Sequence, residues 1–368
     1  MTTGDKLSTG ARPFDRAVCA VGDVLGLGAA GARQAQARAL LHVLTRDVPT
    51  AARAGGPRRS TLTPGGLPLE VAVSTGTGGA QVRYIVDAGD LRRPVSARVR
   101  DGTTRNALLH LGLHASVPAH DTLANVLLGP DVLRGDGVRF GMWLSPQHHA
   151  DGTDTLRVYY NLTPFRRQVP GGVRAVLGAL AAVVPVAHLD AVARLVPVGL
   201  CPALLGVEYG GGGARKAKWY FRACQGLSLV RLERLAARCD PPDALRTFIQ
   251  VLLGGAAHYP ERGVMLYLSH DPAGRVGLNV YLSGPAAGPG ERELSHRVRQ
   301  AHTALGLDPS TYEAVLARLR RDTSPETRLH TLTGLKLSAA GVSLNQYLCP
   351  ASPEDPGGGT AHQAGLDP

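Results

Sequence analysis

Four tyrosines recur along the chain at a nearly constant interval, and each lies two positions after a basic or amide residue. The pairs are Arg157 with Tyr159, Lys218 with Tyr220, Asn279 with Tyr281, and Asn345 with Tyr347. Successive tyrosines are therefore 61, 61 and 66 residues apart. Unrelated strand pairs would have no reason to keep this spacing, so the sequence predicts a repeat architecture.

Each pair lies in the second of two strand-like runs, and helix-like runs follow in every unit but the last. A first unit has Arg83 and Ile85 at the corresponding positions. Apolar alternation between Gly-rich turns predicts strands. They span residues 67–75, 81–88, 138–145, 155–162, 203–209, 216–223, 264–269, 277–282, 332–337 and 342–348. The helical segments include residues 103–128, 173–197, 228–239 and 243–253.

Repeated ββαα units can close in two ways. An open solenoid leaves strand edges at its ends and needs capping repeats, whereas a closed antiparallel barrel has no free edge. A ten-stranded barrel also leaves a lumen. Because residues two apart share one face of a strand, each basic or amide residue points the same way as its tyrosine. We therefore predict an α+β fold, a ten-stranded antiparallel β-barrel of five ββαα repeats surrounded by helices, with these pairs in the lumen.

The chain outside the repeats has a different character. Residues 14–48 are rich in Ala and Leu and predict one long helical region, which a Pro-, Gly- and Arg-rich connection over residues 51–66 follows. We expect residues 1–66 to form an N-terminal helical region and linker packed on the barrel, and residues 67–350 to form the barrel. Residues 351–368 are rich in Pro, Gly and Asp and are expected to be a disordered tail.

The composition narrows the functional class. The 368 residues carry a formal net charge of +11, and four of the 40 basic residues are lysine in a Gly- and Arg-rich chain typical of a GC-rich coding bias. The basic clusters are short and no nucleic-acid motif accompanies them, so neither nucleic acid nor a membrane is the expected partner. Five scattered cysteines without CxxC, no secretory signal and no long apolar run predict a soluble cytoplasmic protein.

Six short motifs carry a resemblance to a known family. They are residues 67–74 around Glu70, residues 82–84 around Arg83, Arg157 with Tyr159, residues 216–220, Asn279 with Tyr281, and residues 345–350. At these positions the chain resembles the dimethylallyltryptophan synthase (DMATS) family of aromatic prenyltransferases, whose fold is the ABBA barrel of five ββαα units. The resemblance implies transfer of a prenyl group, commonly dimethylallyl, from its diphosphate to an electron-rich aromatic ring without an obligatory metal.

The basic residues and tyrosines suit that chemistry. Breaking an allylic C–O bond places negative charge on the departing diphosphate, and fixed cations in a water-poor cavity stabilise that charge. The candidate diphosphate ligands are Arg83, Arg157, Lys216, Lys218 and Asn279. Tyrosine rings attract the allyl cation by about 0.5–2 kcal/mol each and shield it from water. The candidate tyrosine shield is Tyr159, Tyr220, Tyr281 and Tyr347.

Glu70 is the candidate catalytic residue. By resemblance it accepts a hydrogen bond from the indole N–H, and it helps to remove the ring proton after attack. A carboxylate between apolar neighbours in mid-strand is also out of place unless it faces a polar lumen. Glu208, in a similar setting on the third strand pair, is the rival acid. Lys336 as a lumen cation and Trp143 as a stacking residue are further candidates, with surface and core positions as the alternatives.

The usual alternative for ionising a prenyl diphosphate is an aspartate-rich magnesium site, and the chain has no DDxxD pattern. Arginine and lysine in place of Mg²⁺ are therefore expected, with no required cofactor and no metal site. The leading hypothesis is a prenyltransferase of secondary-metabolite biosynthesis that uses dimethylallyl or longer prenyl diphosphate and an indole-containing acceptor. The alternatives are the same barrel acting on a phenol, naphthol, carbazole or guanidine, and a non-catalytic basic binding protein.

Overall fold

The ten predicted strands are present and form one closed barrel. A computed structural model describes residues 13–26, 32–46, 60, 62–63, 67–87, 97–127, 142–149, 151–162, 181–182, 200–223, 228–237, 239, 243–255, 264–270, 276–288, 290–321 and 323–350. The strands are β1 (Leu69–Gly76), β2 (Gly79–Val86), β3 (Met142–His148), β4 (Asp154–Asn161), β5 (Leu200–Gly210), β6 (Gly213–Ala223), β7 (Val264–His270), β8 (Val276–Ser283), β9 (His330–Ser338) and β10 (Gly341–Leu348).

Every strand pairs antiparallel with its neighbour in sequence, and β1 pairs with β10 to complete the ring. This confirms the predicted ten-stranded antiparallel barrel. Glycines permit the tight hairpin turns between neighbouring strands. Gly213 and Gly341, the first residues of β6 and β10, have φ angles of 107° and 99°. A side chain is strained in that region and glycine is not. The Gly-rich segment over residues 210–213 is therefore a hairpin turn, as the sequence predicts.

Helices cover the outside of the barrel. They are α1 (Pro13–Leu25), α2 (Ala32–Arg46), α3 (Ala97–His110), α4 (Val117–Leu127), α5 (Leu229–Ala236), α6 (Asp243–Leu253), α7 (Gly284–Ala287), α8 (Glu291–Ala304) and α9 (Ser310–Arg320), with a short 3₁₀ helix at His114–Ser116. The outer-facing strand residues Val71, Val158 and Leu335 are fully buried in the core between strands and helices. One face of each strand thus packs in this core, and the opposite face points into the lumen.

The helices depart from the sequence prediction in two places. The region over residues 14–48 contains two helices, α1 and α2, and α1 packs against α2, α9 and the β1–β2 hairpin. The segment over residues 103–128 is also divided, because Gly112, with φ of 71°, ends the turn after α3. Apart from residues 181–182, the predicted helices over 173–197 lie outside the described residues, as does the predicted tail over 351–368.

Within the described part of the chain, no helix combines the length and the apolar character that crossing a membrane would require.

Candidate active site

The four tyrosines of the repeat lie on the inner face of the barrel, and their rings form one cluster. The ring centroids of Tyr159 and Tyr220 are 5.8 Å apart. Tyr281 lies 6.4 Å from Tyr220 and 5.8 Å from Tyr347 by the same measure. These are the distances of interacting aromatic pairs. The sequence period therefore brings one ring from each of four hairpins into one cluster.

A fifth tyrosine, Tyr267 on β7, joins this cluster. Its ring centroid is 5.5 Å from that of Tyr220, its cross-strand neighbour. Tyr267 lies on the first strand of a hairpin, so the repeated pairs on second strands gave no sign of it. The available signal was strand alternation, since Met265 pairs with the inward-facing Tyr281 and Tyr267 lies two residues further along the same face.

Two glycines make room for the rings. Gly206 on β5 lies across from Tyr159, and a Cβ atom there would be 3.4 Å from that ring and 3.2 Å from the ring of Tyr220. Gly334 on β9 lies across from Tyr281, and its Cβ atom would be only 2.4 Å from the tyrosine Cδ1. A side chain at residue 334 would therefore displace Tyr281. Neither glycine stands out in a sequence that contains 46 glycines.

Basic side chains form a cationic layer beside the tyrosine cluster. Its members are Arg83, Arg157, Lys216, Lys218 and Lys336. Both arginines are buried, the lysines at 218 and 336 are half-buried, and Lys216 is exposed. Asn279, which is 3% exposed, is the cross-strand neighbour of Lys336. The structure thus brings the predicted diphosphate ligands together and places Lys336, which the sequence left open, among them.

Two lysines of this layer, Lys218 and Lys336, are held in an unfavourable environment. Burial lowers the pKa of Lys218 well below its usual value, and repulsion from Arg157 and Lys216 lowers it further. Burial also lowers the pKa of Lys336, and the same two residues act on it with Arg83. A bound anion would relieve this repulsion, so the layer favours a ligand of high negative charge.

Two of the cations lie against tyrosine rings. Arg83 donates a hydrogen bond from Nη2 to the hydroxyl of Tyr347 at 3.1 Å, and its Cζ is 5.7 Å from the ring centroid. The Nζ of Lys218 lies 5.1 Å from the ring centroid of Tyr267. Both distances fall in the range of cation–π contacts. An anion bound by these cations would therefore lie next to the aromatic cluster.

Glu208 lies within the cationic layer. Its Oε2 accepts a hydrogen bond from Arg157 Nη2 at 2.6 Å, and Lys216 is its cross-strand neighbour. Burial alone would raise the pKa of Glu208, but attraction to Arg157, Lys218 and Lys216 and the hydrogen bond from Arg157 lower it overall. Glu208 therefore remains ionised, which makes it a counter-ion and a weak proton acceptor near neutral pH.

Glu70 on β1 has the opposite environment. It is 2% exposed, and its cross-strand neighbour is Ile85. Its Oε1 accepts a hydrogen bond from the hydroxyl of Thr331 on β9. Burial raises the pKa of Glu70 to about 8, against the opposing effects of that hydrogen bond and of the charge on Arg83. A carboxyl group that titrates near neutral pH can both take up and release a proton, which suits a general base.

Apolar side chains share the inner cluster with the tyrosines. They are Leu62, Ala72, Ile85, Ala203 and Leu204, with Trp143, Met265 and Leu332 packed against them. Trp143 thus belongs to the lumen wall, beside its cross-strand neighbour Tyr159. A wall of this kind with one carboxyl group suits a flat aromatic molecule that carries a hydrogen-bond donor.

Several buried polar atoms of the lumen have no hydrogen-bond partner among the residues that the structure describes. They are Arg83 Nε, Arg157 Nε, Ser145 Oγ and Asn279 Oδ1. Ser145 is the cross-strand neighbour of Arg157, so these atoms belong to the cationic layer. Buried polar atoms are nearly always paired in folded proteins. Three of the four are donors, which predicts a ligand rich in acceptor oxygens.

The fold and the lumen define a class of protein: a closed ββαα barrel with a cationic layer, a tyrosine cluster and a buried carboxyl group of raised pKa. No protein-family model and no curated protein matches the sequence. Solved structures do match. The prenyltransferase PriB, in complex with L-tryptophan and dimethylallyl thiolodiphosphate, matches with a TM-score of 0.74 and 18% identity over 94% of this chain and 98% of its own.

Two further solved structures agree. The 5-dimethylallyltryptophan synthase from Streptomyces coelicolor has a TM-score of 0.74 and 19% identity, covering 95% of this chain and 98% of its own. The 6-dimethylallyltryptophan synthase from Micromonospora olivasterospora has a TM-score of 0.73 and 19% identity, covering 93% and 98%. At these identities the likeness establishes the fold, which is the prenyltransferase barrel that the sequence predicts.

Proposed function

We propose that the protein is an aromatic prenyltransferase, which moves a prenyl group from its diphosphate to an indole or tryptophan-derived acceptor by metal-independent electrophilic substitution. Dimethylallyl is the proposed prenyl group. The observation that carries the proposal is the meeting of a cationic layer and a tyrosine cluster in one lumen. The complex of the like-folded PriB with L-tryptophan and dimethylallyl thiolodiphosphate supports the choice of donor and acceptor.

The first step is ionisation of the donor. The C–O bond between the prenyl carbon and the diphosphate breaks, and its electron pair remains on the diphosphate oxygen. Arg83, Arg157 and Lys218, already fixed beside one another, stabilise the charge that develops there. Preorganised charges of this kind need no rearrangement as the bond breaks, which is why they lower the barrier. Asn279 and Lys336, at the same level of the barrel, add an amide and a further cation.

The second step is survival of the allyl cation until the acceptor attacks. The five clustered tyrosine rings lie next to the cationic layer. Burial raises the pKa of Tyr220 and Tyr281 well above the usual value, so these phenols keep their protons. A neutral ring attracts the cation through its face without forming a covalent bond as a phenolate would. The cluster also excludes water that would otherwise capture the cation.

The third step is attack by the aromatic ring and loss of its proton. A ring carbon donates an electron pair to the prenyl cation, and the C–H pair then returns to the ring as the proton departs. Glu70 is the proposed acceptor of this proton, and before attack it accepts a hydrogen bond from the indole N–H. A base with a pKa near the working pH balances uptake and release of the proton.

The proposal of metal independence rests on the charge of the site. In this proposal the cationic layer neutralises the diphosphate as a magnesium ion would, and the acid among these cations, Glu208, is already bound to Arg157. A divalent cation would be repelled by the layer. We therefore expect transfer to continue in excess EDTA.

The decisive experiment incubates the protein with dimethylallyl or geranyl diphosphate and a panel of acceptors, with EDTA or with Mg²⁺, and detects products by mass spectrometry. The panel contains indoles, tryptophan, phenols, naphthols, carbazoles and guanidines. A prenylated indole formed in EDTA supports the proposal, and a product from another acceptor class corrects the acceptor alone. Absence of prenyl transfer across the panel, together with salt-dependent binding to random DNA, would show a non-catalytic basic protein instead.

Lys218→Ala tests the cationic layer. Removing one preorganised charge donor should lower kcat/KM for the prenyl diphosphate by about 100- to 1,000-fold. The matched control is Arg246→Ala, which removes one positive charge from an exposed ion pair with Glu233 on the helical surface. Arg246→Ala should leave kcat/KM unchanged. Equal losses in the two variants would point to an effect of overall charge and would contradict the assignment.

A further inference from the structure

A β-bulge aims one threonine side chain at the carboxyl group of Glu70. In the β9–β10 ladder, Tyr347 pairs with Leu332 and the next residue, Leu348, pairs with His330. Thr331 is therefore the extra residue of the bulge. Bulges commonly redirect a side chain next to a functional site. Here the bulge brings the Thr331 hydroxyl into contact with Glu70, which lies 261 positions away in the sequence.

The hydroxyl of Thr331 has two acceptors within reach. It bonds Glu70 Oε1, and the backbone oxygen of Tyr347 lies 3.1 Å from the same Oγ1 atom. When Glu70 is ionised, the hydroxyl donates to the carboxylate. When Glu70 carries a proton on Oε1, the carboxyl group can donate to Thr331 and the hydroxyl can donate to Tyr347. The threonine is thus hydrogen-bonded in both protonation states, and Oε2 remains available for a bound molecule.

The backbone that carries Thr331 is itself anchored. Glu291 at the start of α8 is 1% exposed, and its Oε2 accepts hydrogen bonds from the backbone N–H groups of Leu329 and His330 at 3.1 and 3.2 Å. Its Oε1 also bonds His330 Nδ1 at 2.7 Å. These bonds fix the chain directly before the bulge. The position of the Thr331 hydroxyl is therefore set by the fold and does not depend on a mobile side chain.

We propose that Thr331 is the positioning residue of Glu70: it holds Oε1 by a hydrogen bond, turns Oε2 toward the acceptor and stabilises the ionised carboxylate that removes the ring proton. The last of these roles, support for removal of the ring proton, rests on the proposed prenyl transfer. The other groups that act on Glu70 are the guanidinium of Arg83 on β2 and the phenol of Tyr347 on β10. Neither group takes the place of the Thr331 hydroxyl as hydrogen-bond partner of Glu70, because Arg83 donates its hydrogen bond to the Tyr347 phenol.

The test measures the titration of Glu70 in the ligand-free protein. The infrared band of a protonated buried carboxyl group, identified by its loss in Glu70→Gln, is followed against pH. A hydrogen bond to a charged group favours the carboxylate, so Thr331→Val should raise the midpoint by about 1 to 2 pH units. Thr331→Ser keeps the hydroxyl and should retain the original midpoint. Thr331→Ala supplies the same comparison if the valine variant does not fold.

Thr333→Val is the matched control, because Thr333 is a buried threonine of the same strand whose hydroxyl donates to Gln346 on the outer side at 2.9 Å. It should destabilise the protein without moving the midpoint. An unchanged midpoint in Thr331→Val, or an equal shift in Thr333→Val, would overturn the proposal. The acid limb of kcat/KM should move with the infrared midpoint. If the midpoint moves while the wild-type protein transfers no prenyl group, the proposed function fails and the hydrogen-bond role of Thr331 stands.

Discussion

At the scale of single residues, the surroundings of two glutamates assign them different chemistry. Glu70 and Glu208 both lie between apolar neighbours in strands, so the sequence left them as rivals for one role. Glu208 is bound to Arg157 and its pKa is lowered, whereas burial raises the pKa of Glu70 to about 8. A carboxyl group paired with a cation is held as an anion, and an unpaired buried one is held near its neutral form.

The rate of transfer should therefore depend on pH through Glu70. Since the base must be ionised, kcat/KM should rise about tenfold per pH unit below the Glu70 pKa of about 8 and level off above it. Glu70→Gln removes the base, so the pH dependence of its residual activity should reflect only the protonation state of the diphosphate donor. The pH profiles of the two proteins, measured with the same donor and acceptor, check this. A wild-type rate that falls as pH rises toward 8 would contradict the role of Glu70.

Gly334 gives a second prediction at this scale. Gly334→Ala places a Cβ atom 2.4 Å from the Tyr281 ring, which must move away. The displaced ring should shield the allyl cation less well, so the ratio of prenyl alcohol formed with water to prenylated acceptor should increase severalfold. Gly102→Ala, on a helix where the added methyl group meets nothing within 4 Å, is the control. An unchanged product ratio in Gly334→Ala would show that Tyr281 does not shield the cation.

At the scale of strands and helices, features that depend on nearby residues were predicted well, and features that depend on distant residues were not. The predicted helix over residues 243–253 coincides with α6, and the strands differ by a few residues at their ends, because alternation and turn glycines are written locally. The bulge at Thr331 could not be predicted, because it depends on the pairing of β9 with β10 and on the anchor that Glu291 provides. The same holds for Gly334, whose function appears only when Tyr281 lies across from it.

A row of neighbouring side chains across β4, β5 and β6 places Glu208 between two cations. Arg157, Glu208 and Lys216 are successive cross-strand neighbours, so Glu208 competes with any bound anion for Arg157. Glu208→Gln removes this competitor, and inorganic pyrophosphate should bind about tenfold more tightly in calorimetry. The control is Glu233→Gln in an ion pair on the helical surface. Weaker binding in Glu208→Gln would mean that Glu208 serves mainly to orient Arg157.

At the scale of the whole molecule, the barrel separates two uses of the same strands. The outer faces bury valine and leucine against the helices, and the stability of this core offsets the electrostatic cost of holding cations together inside. The formal charge of +11 looked like coding bias in the sequence. The structure shows that part of it is concentrated in the lumen, where burial and mutual repulsion lower the pKa of Lys218 and Lys336. The grouped cations therefore carry an electrostatic penalty that a bound anion would remove.

It follows that an anion which fits the lumen should stabilise the whole fold. A ligand that binds only the folded state adds about 2.7 kcal/mol of stability at one hundred times its Kd, so saturating pyrophosphate should raise Tm by a few degrees. The gain should shrink in Lys218→Ala and stay unchanged in Arg246→Ala, whose charge lies on the surface. Sulfate at equal ionic strength separates specific binding from screening, which acts on exposed charges. Equal stabilisation by sulfate and pyrophosphate, or an undiminished gain in Lys218→Ala, would place the anion outside the lumen.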